Sequence, residues 1–349
     1  MVSVNDQPAK SETASLVSRW PRRFAIALTL VTFPLIWVGG LVTTYDAGMA
    51  VPDWPGTYGY NLFAYPWTTW LFGPWDLFIE HGHRLLGSLA GLLTIGFLVS
   101  ALWKDEGAWL KIAGLIALLL VISQGVLGGI RVLAADQQIA KIHGCVGPAF
   151  FALAVALTMF TSRSWREAQH RQVKLTQNNL LLIRAVTIGT VVFAYLQLVI
   201  GAHLRHIDAS AGPQQFTTLV FLHLLTAGIV VLNILLAAIL MQSKTFALLG
   251  ARKASWTLCF LVLVQIGLGC ATWVVQYGWP GGLNDATQTA GFTILSKGML
   301  QANITTAHVA TGSLILALAT YVAIKTWRVT HFSLADKAVA VGFKKVVSV

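Results

Sequence analysis

Eight separate stretches of about 20 or more mostly apolar residues run along this chain, near 24–43, 82–103, 110–131, 140–162, 181–203, 217–241, 253–277 and 302–325. Each is long enough to cross the roughly 30 Å hydrocarbon core of a bilayer as an α-helix. No water reaches that core, so a spanning segment must satisfy its own backbone hydrogen bonds. The expected fold is therefore all-α and polytopic, with eight transmembrane helices and both termini on one side. Composition agrees: of 349 residues, 56% are hydrophobic and 11% charged, which leaves too little polar surface for a soluble fold of this size.

The formal charge of +11 raises nucleic-acid binding, which would need a basic stripe. The bases instead sit between the apolar runs, so the expected partner is membrane lipid and no nucleic acid. Only Arg84, Arg131, Lys141, Arg205 and Lys297 fall on one side. The other Lys and Arg lie in the N-terminus, the 104–111, 163–184 and 242–253 connections and the C-terminus. The positive-inside rule makes that second side, with both termini, cytoplasmic. The first apolar run lacks a small-residue cleavage site, and Asp6 and Glu12 accompany the early bases. We therefore expect neither a cleaved signal nor an organelle transit peptide, and a bacterial inner (plasma) membrane location. Cys145, Cys259 and Cys270 all lie in apolar stretches, which excludes a disulfide framework.

The external loop 44–80 has no Lys or Arg but contains Trp54, Trp67, Trp70, Trp75, Tyr45, Tyr58, Tyr60 and Tyr65. Such side chains favour the headgroup level, so the loop is expected to lie along the outer face. A lid over a site and a simple interfacial anchor fit this composition equally well.

The chain also repeats itself. Gln124-Gly-Val-Leu-Gly-Gly matches Gln265-Ile-Gly-Leu-Gly-Cys270, His83-Arg-Leu-Leu matches His223-Leu-Leu, and Ile142-His143-Gly matches Ala307-His308-Val. Two pseudo-symmetric four-helix bundles result, related by an axis along the membrane normal because each has an even number of spans. The expected organisation is a cytoplasmic segment 1–23, a bundle 24–162, a cytoplasmic linker 163–180, a second bundle 181–328 and a cytoplasmic tail 329–349. Gly87 with Gly91 and Gly125 with Gly129 are small-xxx-small pairs, which admit a neighbouring helix or a flat ligand.

His83, His143, His223 and His308 carry the strongest chemical signal. All lie on even-numbered spans, within about seven residues or roughly 10 Å of the outer end. One intramembrane histidine is most often a hydrogen-bonded packing residue. Four at one depth, two per repeat, point to a bound group. Zinc would want close tetrahedral ligands, often with Cys or carboxylate, whereas two imidazoles from facing helices suit the axial positions of a haem. Two haem sites toward the external leaflet are expected, at which Arg84, Arg131 and Arg205 either pair with propionates or snorkel to the interface. Glu80 precedes His83 by one helical turn and would share its face if the helix begins by residue 80. Alone, it would read as an acid complementing a helix N-terminus. His203 and His206 are alternative ligands or interfacial residues, while His170 and His331 read as surface residues.

On these residues the chain resembles the haem A synthase family, over about 24–328. The resemblance rests on Gly39-Gly40-Leu-Val-Thr, Ala47-Gly-Met-Ala-Val-Pro-Asp-Trp-Pro-Gly-Thr-Tyr-Gly59, Glu80-His-Gly-His-Arg-Leu-Leu-Gly87, Gln124-Gly-Val-Leu-Gly-Gly-Ile-Arg-Val132, His143, His223 and Thr305-Thr-Ala-His-Val-Ala-Thr-Gly312. It implies oxidation of the haem O methyl group to the formyl group of haem A by successive hydroxylations, for terminal oxidase biogenesis. It further implies substrate haem on His83 and His143, a haem b cofactor on His223 and His308, and a catalytic Glu80 that handles a proton or stabilises positive charge. An electron donor, haem O synthase and further copies of the chain are the partners it suggests. The cysteine pairs of many bacterial members are absent from loops 44–80 and 204–216, which places the chain with the cysteine-free branch. Two other readings compete. A dihaem b-type cytochrome carrying electrons at the outer face would normally set its haems at different depths to cross the bilayer. A transporter would carry broken helices and more midplane polar groups than Asn233 and Gln265.

Overall fold

The computed structural model describes residues 19–103, 107–163, 165, 176–207, 211–242, 246–247, 250–278 and 298–347, with side chains to residue 331. Most of segment 1–23, most of linker 163–180 with His170, and most of the 278–301 connection with Lys297 lie outside the described residues. The helices are α1 (Trp20–Thr44), the short α2 (Trp67–Phe72), α3 (Trp75–Trp103), α4 (Ala108–Leu133), α5 (Gln137–Phe160), α6 (Gln177–Arg205), α7 (Pro213–Leu240), α8 (Ala251–Tyr277) and α9 (Met299–Val347). Eight of them, α2 excepted, are long and apolar enough to cross a membrane, α9 through Met299–His331. The chain is an all-helical, multi-pass membrane protein.

Helix ends follow local chemistry. Asp136 caps α5 by accepting from the N–H groups of Gln138 and Ile139, and Thr176 caps α6 by accepting from Asn179. Pro21 and Pro213 occupy the first turns of α1 and α7, where a missing N–H costs nothing. The largest departure at a helix start is α3, which begins at Trp75 rather than near 82. Asp76 and Glu80 depress the local hydropathy, but Pro74 just ahead starts the helix and Asp76 in its first turn complements the dipole. Glu80 and His83 therefore stand within one continuous helix. The last helix runs on to Val347, through most of the stretch expected as a tail.

In the N-terminal half, α1 packs on α3, α3 on α4, α4 on α5 and α5 back on α1. In the C-terminal half, α6, α7, α8 and α9 close a ring in the same order. Phe97, Leu28, Leu110 and Leu157 fill one core, and Ile234, Leu180, Leu258 and Leu316 the other. The rings meet where α9 packs on α1 and α5 and where α6 packs on α5. Gly40 of α1 permits this approach, since a Cβ there would stand 2.7 Å from Thr306 Cγ2 of α9. Arg205 at the end of α6 donates through Nη2 to the Gly40 carbonyl (2.8 Å) and to Thr44 Oγ1. Buried threonines donate to carbonyls one turn back, as Thr32 does to Leu28 (2.7 Å) and Thr326 to Val322 (2.7 Å), so their hydroxyls are satisfied inside the bundle. Side chains such as Phe221, Leu232 and Ile239 project outward, as a lipid-facing surface requires.

Candidate functional site

Each of the four histidines rests on a glycine of the preceding spanning helix. A Cβ at Gly39 (α1) would stand 2.7 Å from Cε1 of His83 (α3), and one at Gly128 (α4) would stand 3.3 Å from that of His143 (α5). A Cβ at Gly201 (α6) or Gly269 (α8) would stand 3.1 Å from Cε1 of His223 (α7) or His308 (α9). At these four positions the absence of a side chain is what leaves room for an imidazole. The histidines stand about two to three turns inside the starts of their helices, or about 9–15 Å along the axis. This is slightly deeper than the sequence reading, because α3, α7 and α9 begin earlier.

The helices bring the histidines together in two pairs. The His83 and His143 ring centroids are 6.2 Å apart with planes at 85°, and those of His223 and His308 are 6.4 Å apart at 58°. Rings this far apart would leave room between them for a metal held by both. Nδ1 of all four rings is buried and makes no well-formed hydrogen bond. The backbones of Gln124 and Gln265 approach His143 and His308 respectively. His223 has one further neighbour: the Gln197 amide nitrogen, which can only donate, lies 3.0 Å from its Nε2. That Nε2 is accordingly the acceptor, which puts the ring proton on Nδ1; a metal at Nε2 would take the lone pair that Gln197 now uses.

Both pairs line one mostly apolar cavity of about 1950 Å³, larger than the roughly 300–1,000 Å³ of an ordinary small-molecule pocket. Among the described residues no group of three or more His, Cys, Asp or Glu is arranged to hold a metal ion. A bare ion on two imidazoles would be under-coordinated. A metal that arrives inside a macrocycle would need only a pair of imidazoles from the protein, and the ring spacing and the cavity volume fit such a group. Gly87 and Gly125 line this cavity with nothing within 4 Å of a built Cβ. They leave space for a flat ligand rather than for a neighbouring helix, whereas Gly129 lies against the Trp54 ring.

The segment after α1 folds back over the N-terminal pair. Glu80 is 1% exposed; its Oε2 accepts from the Val51 N–H (2.8 Å) and its Oε1 from Arg84 Nη2 (2.8 Å). Arg84 also donates to the carbonyls of Asp53 (2.7 Å), Gly56 (2.8 Å) and Val51 (2.8 Å). Thr57 hydrogen-bonds Nδ1 of His81 (3.0 Å), against which Tyr65 and Trp70 pack. Beyond the membrane helices, Asp53 closes the turn by accepting from the N–H groups of Tyr58 (2.8 Å) and Gly59 (2.9 Å). Its slight burial pushes the carboxyl up, but these two bonds outweigh it and hold its pKa below the usual carboxylate range. Trp54, Pro55 and Leu62 form part of the cavity wall, while Phe63, Trp67 and Phe72 remain exposed. The two readings of loop 44–80 thus divide along it: residues 51–57 are a lid, and the aromatic stretch beyond suits an interface.

Arg84 is spent on this lid and on Glu80, so it is no anion receptor, contrary to one reading of the sequence. Arg131 lines the cavity with no hydrogen bond or ion pair among the described residues. His203 is exposed and bonded through Nδ1 to the Val199 carbonyl (2.9 Å), and His206 lines the cavity. Neither stands in a ring pair. The glycine shelves, the Gln197 contact and the role of His81 escaped the sequence reading; the first was detectable as a glycine repeated at matching positions of both halves.

The fold and site define a class: a polytopic membrane protein with two histidine pairs lining one mostly apolar cavity. Residues 74–220 match the model of the COX15-CtaA family, described as cytochrome oxidase assembly protein. The chain is 27% identical over 199 residues to the haem A synthase of Lysinibacillus sphaericus (strain C3-41), covering 55% of this chain and 60% of that one. It is 29% identical over 192 residues to that of Symbiobacterium thermophilum (54% and 60%), and 26% identical over 234 residues to that of Geobacillus kaustophilus (62% and 70%). The matches span about 60% of the length of the first two relatives. Both comparisons support the resemblance to the haem A synthase family drawn from the sequence.

Proposed function

We propose that this chain is a haem A synthase, oxidising the methyl group of haem O to the formyl group of haem A in a bacterial plasma membrane with both termini cytoplasmic. The observation that carries the reading is the two imidazole pairs, with ring centroids 6.2 and 6.4 Å apart, in one cavity, where among the described residues the buried carboxylate Glu80 stands on the side of the N-terminal pair. His83 and His143 hold the substrate haem, and His223 and His308 hold a haem b that supplies redox chemistry when bound. The segment 24–162 then forms the substrate bundle and 181–328 the cofactor bundle, and an electron donor meets the protein from outside the chain.

Glu80 acts at the reacting edge. Its oxygens are pinned by Val51 and Arg84, so its charge is fixed in direction, as stabilising positive charge developing at a methyl carbon demands. Each oxygen keeps a lone pair toward which a proton can move. The lid excludes water from this edge. A cytochrome that only relays electrons needs neither the carboxylate nor the lid, which favours the enzyme.

The test is extraction and chromatography of bound tetrapyrroles after co-expression with a haem O supply. Haem A is expected from the unmodified chain, loss of haem b from His223→Ala, and loss of substrate-type haem from His83→Ala. A purified protein without a Soret band, despite abundant tetrapyrrole, would refute the assignment.

A further inference from the structure

We propose that Arg131 is the carboxylate receptor of the N-terminal site, its guanidinium taking a propionate of the tetrapyrrole held by His83 and His143. This deepens the function proposed above and rests on it. Three arginines line the cavity, and the structure separates them. Arg84 is consumed by three lid carbonyls and Glu80, and Arg205 joins the two halves through Gly40 and Thr44. Arg131 alone of the three has no hydrogen-bond or ion-pair partner among the described residues, although its charge acts on His83, His143 and Glu80.

Glu80 feels this charge but makes no ion pair with Arg131 among the described residues; its oxygens accept from Val51 and Arg84. A lone cation in a mostly apolar, membrane-embedded wall is costly. Its position in the last turn of α4 recovers part of that cost through the helix dipole. A snorkelling residue would reach outward to solvent, yet Arg131 lies under the lid. Gly48 covers it so closely that a Cβ there would overlap Nη1. The Ala47–Met49 turn just ahead of the lid thus makes room for the guanidinium on that side, and Arg131 lines the cavity. A planar fork of donors of this kind matches a carboxylate in bidentate fashion.

The matched position in the second half carries no charge. The repeat that pairs Gln124 with Gln265 and Gly128 with Gly269 pairs Arg131 with Thr272, whose hydroxyl is buried without a partner. The N-terminal site accordingly discriminates by carboxylate charge more strongly than the C-terminal one.

The test uses full-length protein in a His223→Ala background, so that the N-terminal pair reports. Ferric protoporphyrin IX and its dimethyl ester are titrated by Soret absorbance. The free acid is expected to bind about 10- to 100-fold tighter than the diester, and Arg131→Gln to abolish that preference while the bis-imidazole spectrum persists. A preference retained in Arg131→Gln overturns the proposal. Should that variant fail to fold, the parent protein decides: equal affinity for acid and diester overturns it, as it would if Arg131 held a lipid phosphate instead. A titration unchanged by His83→Ala sinks the haem reading itself, whatever Arg131 does.

Discussion

Placing a methyl group at Gly39 tests the glycine shelf with a change of one carbon. Its Cβ would stand 2.7 Å from His83 Cε1, 3.2 Å from Nδ1 and 3.4 Å from Nε2. Ordinary contact begins at 3.4 Å, so the ring must recede by about 0.7 Å. The same change at Gly128 asks His143 to recede by only about 0.1 Å, from 3.3 Å. A free imidazole at the end of its side chain can swing away cheaply. One fixed to a metal cannot, so the penalty falls on the loaded protein. Overpacking of this size costs about 1–3 kcal/mol, or about 5- to 150-fold in occupancy. Gly39→Ala should therefore weaken tetrapyrrole binding at the N-terminal pair by that factor and leave the melting temperature of the apoprotein nearly unchanged. Gly128→Ala should have the smaller effect, with Gly201→Ala and Gly269→Ala intermediate at the C-terminal pair. Soret titration and low-spin electron paramagnetic resonance read the loaded sites, and thermal melts read the fold. Equal binding by Gly39→Ala and the parent, or a larger loss in Gly128→Ala, would refute the claim that the shelf sets imidazole position.

Glu80→Gln should abolish formyl production while both haems stay bound, as measured by extraction and chromatography; full activity would remove the carboxylate from the chemistry. Arg84→Ala removes three lid hydrogen bonds and leaves Glu80 as an unpaired buried charge, at a cost of about 3–5 kcal/mol. Hydrogen exchange at the Val51 amide should accelerate, and unchanged protection would show that the lid is held otherwise. Burial and then the neighbouring Arg205 charge push His206, just beyond the end of α6, down to about 4 from 6.5. A depressed histidine pKa contributes stability that is present above 6.5 and is lost as pH falls toward about 4. The melting temperature should therefore drop across that window, and His206→Gln should flatten the drop.

The sequence by itself determined the eight spans, because a backbone without water must close its own hydrogen bonds and a run of apolar residues is legible locally. It also determined which histidines share a depth, since depth follows from counting residues along a helix. The start of α3 was obscured because Asp76 and Glu80 interrupt the apolar run that hydropathy detects, although the helix does not break there. Only the tertiary structure decided how each helix is rotated and what faces it. That rotation set the ring spacings of 6.2 and 6.4 Å and placed each histidine on a glycine of the helix before it. It also sent Arg84 to the lid while leaving Arg131 in the cavity wall, a distinction between two chemically identical side chains that no local pattern carries. The physical reason is that charge partners and close approaches join residues far apart in sequence, as Val51 and Glu80 or Gly40 and Arg205 are, and such pairings exist only once the helices have packed.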